Sequence, residues 1–144
     1  MEFYLTMDKK RRFAVPTKCR KILGTTLIVS RGLDKCLNVY ASKVWESGKT
    51  KAQELDRRLS ISAKHRKLSR FLTTVEEIAV DGSGRVLVPE HLAQFADLKD
   101  TIVFVSTEEG FQIWSSQEWE NEGMPDLHEA QMLAEGEEFQ KLSD

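Results

Sequence analysis

Two short stretches of this chain carry the residue types best suited to chemistry, and they match each other. Asp8-Lys9-Lys10-Arg11-Arg12 and Asp81-Gly82-Ser83-Gly84-Arg85 each place an Asp four residues before an Arg. Each is preceded by an apolar–small–apolar triplet and followed by an apolar run that Pro16 or Pro89 closes. The Asp can form an ion pair with its own Arg across a tight turn, or accept backbone N–H bonds from that turn and hold the loop. The Arg has a second use. At the tip of a two-stranded ribbon it can enter the major groove of DNA and bond guanine O6 and N7 together. Lys9, Lys10 and Arg11 surround Arg12 and can neutralise phosphates. Their counterparts Gly82, Ser83 and Gly84 cannot. The first motif is therefore the candidate DNA-contacting surface: Arg12 for bases, and Lys9, Lys10 and Arg11 for phosphates. Asp8, Asp81 and Arg85 are expected to be structural.

Other chemistries find little support. The Gly-containing loop 81–85 lacks the Gly-Lys-Ser/Thr ending that cradles nucleotide phosphates. His65, His91 and His128 are scattered outside both motifs, so no Ser–His–Asp set is suggested. Cys19 and Cys36 have no Cys or His at metal-ligand spacing and read as reduced thiols. No catalytic residue, metal site, cofactor or small-molecule substrate is expected. The chain begins without an apolar leader, and no stretch approaches the ~20 apolar residues of a membrane span. A cytoplasmic protein without a membrane partner is the default expectation.

The elements that must position the motifs also occur twice. Residues 3–7 and 12–15 read as strands flanking the first turn, followed by a helix from Thr17 to Leu23 stopped by Gly24. Strands follow at Thr26 to Ser30 and Cys36 to Tyr40, and Ser42 is a candidate cap for a helix containing Val44 and Trp45. The second copy has strands at Glu76 to Val80 and Arg85 to Val88, then a helix at Glu90 to Ala96. Strands at Thr101 to Ser106 and Phe111 to Trp114 follow, and Ser115 with Glu118 makes a capping box. The offset between copies is 73 at the Asp–Arg motif and 74 at the Trp45-Glu46 and Trp119-Glu120 pairs. Two units this small must bury their apolar faces together.

Between the copies, Leu55, Leu59 and Ile61 form one apolar group and Leu68, Phe71 and Leu72 another, suggesting two helices that pack on the sheet. Lys64, His65, Arg66, Lys67 and Arg70 make the second helix basic, and nucleic-acid contact by that face is an alternative role. After Glu118 the chain is acidic. Leu127, Met132, Leu133 and Phe139 fit a weak amphipathic helix, although a partly disordered tail is the preferred reading. The expected boundaries are a first repeat at 1–46, a basic helical connector at 47–74, a second repeat at 75–120 and an acidic tail at 121–144. Charge is partitioned along the chain. Residues 1–73 carry 18 Lys and Arg against 6 Asp and Glu, and residues 74–144 carry 3 against 17. The basic half suits a polyanion, unless the two halves attract each other.

Together these residues resemble the MraZ family of bacterial transcriptional regulators. The likeness runs over about residues 3–120. It rests on the two Asp-x-x-x-Arg motifs, Arg-Phe-Ala-Val-Pro at 12–16, and Arg31-Gly-Leu-Asp-Lys-Cys-Leu37. Arg85-Val-Leu-Val-Pro89, Phe111-Gln-Ile-Trp114 and Trp119 extend it. The resemblance implies an α+β fold of two tandem AbrB-like swapped-hairpin repeats, forming one pseudo-symmetric barrel-like core with a helical connector. It implies double-stranded DNA as partner, at direct-repeat boxes upstream of the division and cell-wall gene cluster. It also implies repression, a nucleoid-associated location and a ring-shaped homo-oligomer. The functional Arg of each motif carries over to Arg12 and Arg85. The family has Gly before the motif Arg, which Gly84 matches and Arg11 does not. At Arg11 either φ is positive and the backbone strained, or the turn differs. A different class of function is an AbrB-like antitoxin or protein-interaction module, with the acidic tail as recognition element. RNA binding is weaker still, because Tyr40, Trp45, Trp114 and Trp119 fall where core packing, not a stacking platform, is expected.

Overall fold

A computed structural model describes residues 1–59 and 62–136. The first copy comprises β1 (Glu2–Thr6), β2 (Arg12–Ala14), α1 (Thr17–Leu23), β3 (Thr26–Arg31), β4 (Cys36–Ala41) and α2 (Ser42–Glu46). Helices α3 (Lys51–Leu59) and α4 (Ala63–Thr73) follow. The second copy comprises β5 (Val75–Ala79), β6 (Arg85–Leu87), α5 (Glu90–Phe95), β7 (Thr101–Ser106), β8 (Phe111–Ser115) and α6 (Ser116–Glu118). One π-helical turn (Trp119–Gly123) and α7 (Leu127–Glu135) complete the described chain. Each expected strand and helix of the two copies is present, with ends within about two residues. Ile61 and Phe139 lie outside the described residues.

The two copies are interleaved. Six strands form one antiparallel sheet in the order β1-β7-β8-β4-β3-β5, and β2 pairs with β6 in a separate two-stranded sheet. So β1 and β2, which flank the first turn, do not pair with each other. β1 lies against β7 and β2 against β6, both from the other copy. The sheet order reads the same when the copies are exchanged, and the register obeys that exchange. Leu5 opposite Ile102 answers Ile78 opposite Leu27. The pseudo-twofold passes through Asn38 opposite Gln112, whose side chains are hydrogen-bonded at 3.2 Å. The expected barrel-like core is not closed: β1 and β5 are the two edges of the sheet.

Burial explains the arrangement. Alternate residues of the central strands, Leu27, Val29, Leu37, Val39, Ile102, Phe104, Phe111 and Ile113, face one core. The ribbon β2–β6 closes that core with Phe13 and Val86, joined by Cys19 and Leu23 of α1 and Leu92 of α5. Phe13 is 1% exposed and packs 6.0 Å from Phe104 of the other copy. Sequestering such a ring contributes roughly 1.5–3 kcal/mol. On the opposite sheet face Cys36, Val103, Val105, Trp114 and Trp119 form a smaller cluster. Tyr40, Trp114 and Trp119 are thus core residues, as their positions suggested, and Trp45 packs 5.5 Å from Tyr40.

Three local expectations change. Ser42 is the first residue of α2 rather than its cap, and Ala41, at the cap position, makes no side-chain bond. Its counterpart Ser115 does cap, accepting from the Glu118 backbone N–H at 3.1 Å. The acidic segment after Pro125 forms α7, capped by Asp126, which accepts from the Glu129 N–H at 2.8 Å; this replaces the preferred disordered reading as far as Glu135. α7 buries none of its residues. Of the two inter-copy helices, α4 inserts Leu72 and Ser69, and Phe71 meets Phe95 edge-on at 5.6 Å. α3 contributes no buried residue.

Candidate nucleic-acid interface

Both motif loops have the same backbone. Asp8 Oδ1 accepts from the N–H groups of Lys10 (2.8 Å) and Arg12 (2.9 Å), and its own N–H bonds the Arg12 carbonyl at 2.9 Å. Asp81 Oδ1 accepts from Ser83 (2.8 Å) and Arg85 (2.9 Å), with Asp81 N–H on the Arg85 carbonyl at 2.9 Å. Of the two roles open to the aspartates, holding the loop through backbone bonds is the one adopted. Neither pairs with the Arg of its own motif among the described residues. The backbone bonds, chiefly from Arg12 to Asp8 and from Arg85 to Asp81, hold both carboxyl pKa values below the usual aspartate range.

The loop conformation requires a left-handed residue before each Arg. Arg11 has φ 62° and Gly84 has φ 79°, so the turns are alike and Arg11 is held in a conformation that favours glycine. Neighbouring contacts over-determine it. Its carbonyl accepts from the Val88 N–H at 2.9 Å, and its Nε donates to the Val88 carbonyl at 3.0 Å. The Gly84 carbonyl accepts from the Val15 N–H at 2.9 Å in the equivalent place.

The ribbon β2–β6 turns its second face outward. Arg12 and Ala14 on one strand lie opposite Leu87 and Arg85 on the other, while Phe13 and Val86 point into the core. Arg12 and Arg85 therefore share one solvent-facing surface, at opposite ends and contributed by different copies. Arg12 sits at the start of a ribbon strand rather than at a hairpin tip. The two arginines have unequal surroundings. Arg85 Nη2 donates to Asp8 Oδ2 at 2.7 Å, so the second motif's Arg is tied to the first motif's Asp. Both side chains remain partly hydrated, at 42% and 39% exposure. Arg12 is exposed, and among the described residues its guanidinium has no hydrogen-bond or ion-pair partner. Lys9 and Lys10 are exposed beside it.

One cation of this surface was not legible in the motifs. Arg20 of α1 lies over the second loop. Its Nη2 donates to Thr17 Oγ1 at 2.8 Å, and a Cβ added at Gly84 would stand 2.1 Å from its Nη1. The loop whose Gly82, Ser83 and Gly84 supply no cation is thus covered by a guanidinium from the other copy. The sequence signal was the complementary exchange between equivalent positions: Arg11 with Ala93 in one loop–helix set, Gly84 with Arg20 in the other.

The family model described as "MraZ protein, putative antitoxin-like" matches residues 2–58 and 71–131. Each matched stretch holds one Asp–Arg loop and runs into the helix after α2 or the π turn, α3 in one copy and α7 in the other. Among curated proteins, a Roseiflexus sp. (strain RS-1) protein named "Transcriptional regulator MraZ" is 34% identical over 125 residues, covering 83% of this chain and 82% of its own. Proteins of the same name from Natranaerobius thermophilus (35% over 121 residues) and Lactiplantibacillus plantarum (32% over 119 residues) match 83% of this chain, and 82% and 83% of their own lengths. With both repeats matched and the identity spread over most of each chain, this protein belongs to the MraZ family.

Proposed function

We infer that this protein is a transcriptional regulator that binds double-stranded DNA through the outer face of the β2–β6 ribbon. The observation that supports this best is Arg12, exposed on that face without a hydrogen-bond or ion-pair partner among the described residues and flanked by Lys9 and Lys10. In this reading Arg12 bonds a guanine edge, while Lys9, Lys10 and the remaining guanidinium nitrogens of Arg11 meet phosphates. Asp8 and Asp81 hold the two loops, and Arg85 braces the first loop from the second copy. The operator is a set of direct-repeat boxes ahead of the division and cell-wall genes, and binding represses them. A ring of copies engages several boxes on one duplex and gains avidity from a weak single contact. The names of the curated relatives support regulation of transcription. Selection of bound sites from random duplex, with mass photometry of the same sample, tests it. Recovery of no common box would overturn sequence-specific binding.

A second reading, an antitoxin-like interaction module, is favoured by one feature. α7 leaves Leu127, Met132 and Leu133 at 75%, 60% and 61% exposure on an acidic helix. In that reading α7 captures a partner protein and the basic loops are secondary. Leu127→Asp with Leu133→Asp separates the two: it abolishes partner capture in the second reading and leaves operator affinity of single subunits unchanged in the first.

A further inference from the structure

We propose that Arg20 forms a second phosphate-binding station at the Arg85 end of the ribbon, so that a duplex meets a fixed cation at both ends of the surface. The proposal rests on the duplex-binding reading and goes beyond the motif residues assigned there.

The second loop carries no charge of its own besides the Asp81–Arg85 pair of residues, and Arg85 is engaged by Asp8 at 2.7 Å. Arg20 fills that gap from outside. Its guanidinium is anchored to Thr17 Oγ1, lies on the backbone of Gly84, and has its Nε covered without a hydrogen-bond partner. Among the described residues no carboxylate lies within ion-pair distance of it. A guanidinium held in place without a counter-ion has little side-chain freedom left to lose and its charge still to satisfy. Both features favour an incoming phosphate. Lys18 and Lys21 are exposed on the same short helix and extend the positive surface.

The pseudo-symmetry supports a functional rather than incidental placement. In the first set the guanidinium is on the loop (Arg11) and the helix position is alanine (Ala93). In the second the helix carries it (Arg20) and the loop position is Gly84. Each loop–helix junction therefore holds one guanidinium, delivered by a different element. Gly84 leaves room for that delivery, since a Cβ there would stand 2.1 Å from Arg20 Nη1 and displace the guanidinium from its present place.

The test uses the full chain and a fluorescent random-sequence duplex titrated over a salt series, with thermal melts of every variant. Arg20→Ala should reduce the log–log salt slope by about 0.9 for each engaged subunit. Arg20→Gln, which keeps a donor for Thr17 but not the charge, should do the same, and stands in should the alanine variant fail to fold. Arg20→Lys should keep the slope. The double variant Arg20→Ala with Gly84→Arg returns the cation to the loop, as at Arg11, and should restore it. A wild-type slope in Arg20→Gln overturns the proposal, whatever happens to its melting point, because it would leave Arg20 a packing residue. A wild-type chain that binds no duplex overturns instead the reading on which the proposal rests.

Discussion

Replacing Arg12 by alanine removes the motif guanidinium that is exposed on the ribbon, while Arg85→Ala removes the one bonded to Asp8. The two substitutions should therefore fail in different assays. Among the described residues the Arg12 guanidinium makes no hydrogen bond or ion pair, it is exposed, and its charge acts on Asp81 and Asp8 only at longer range, so its loss should leave the melting temperature within about 1 °C of wild type. A bidentate guanine contact is worth roughly 1–3 kcal/mol of discrimination, which is about five- to 150-fold per box, compounded wherever several subunits hold one duplex. Arg85→Ala breaks a 2.7 Å charged bond between two copies, but Asp8 keeps its backbone N–H donors at 2.8 and 2.9 Å. No buried charge is stranded, because both side chains were 42% and 39% exposed. The expected cost is that of a surface pair, a fall in Tm of no more than about 2–4 °C for a chain of this size. Operator affinity should fall less than threefold, through loss of the brace on the first loop. Thermal melts, sizing runs and operator titrations on both variants decide the matter. If Arg85→Ala keeps the wild-type Tm and assembly yet loses operator binding as Arg12→Ala does, Arg85 reads DNA itself and the division between the arginines is wrong.

Other outcomes follow from the same geometry. Lys9→Ala and Lys10→Ala should each weaken binding to all duplexes alike and lower the log–log salt slope by about 0.9; an altered base preference at constant slope would show that they read bases. Asp8 and Asp81 have folded pKa values below their unfolded ones, chiefly because of backbone bonds from Arg12 and Arg85. Their contribution to stability is therefore fully present above pH ~4 and is lost as pH falls through the lowered values. Asp8→Asn with Asp81→Asn should make Tm less sensitive to pH below about 4, and an unchanged acid-unfolding profile would contradict this. Cys36 is 1% exposed with its thiol pKa pushed up to about 12 by burial, and Cys19, at 0%, is raised as well. Neither should react with iodoacetamide at pH 8 in the native protein, and both should react in denaturant, as intact-mass measurement would show.

The repeat, the order of strands and helices and the stop of α1 at Gly24 were legible in the sequence because they depend on local signals, as were the two roles open to the aspartates, of which the fold takes the backbone-bonding one. Alternation of apolar residues, a Pro after each short strand, a Gly with φ 78° and an Asp within reach of its own turn act over a few residues. The cap at Ser115 followed the same logic, whereas Ser42 misled by one position because its copy lacks the cap. What the tertiary structure decided is which copy each strand joins. Leu5 has the same alternation whether its neighbour belongs to its own copy or to the other, and the partner it takes, Ile102, is far along the chain. Periodicity carries no information about that choice; it is made by closing Phe13 and Val86 over a shared core. The unequal fates of the two motif arginines follow from it. Interleaving brings Asp8 to Arg85 and Arg20 to Gly84, across 77 residues in the first case, and leaves Arg12 without an ion-pair partner among the described residues. Motif spacing shows two equivalent arginines. Only the packing of one copy through the other makes one a brace and leaves the other exposed.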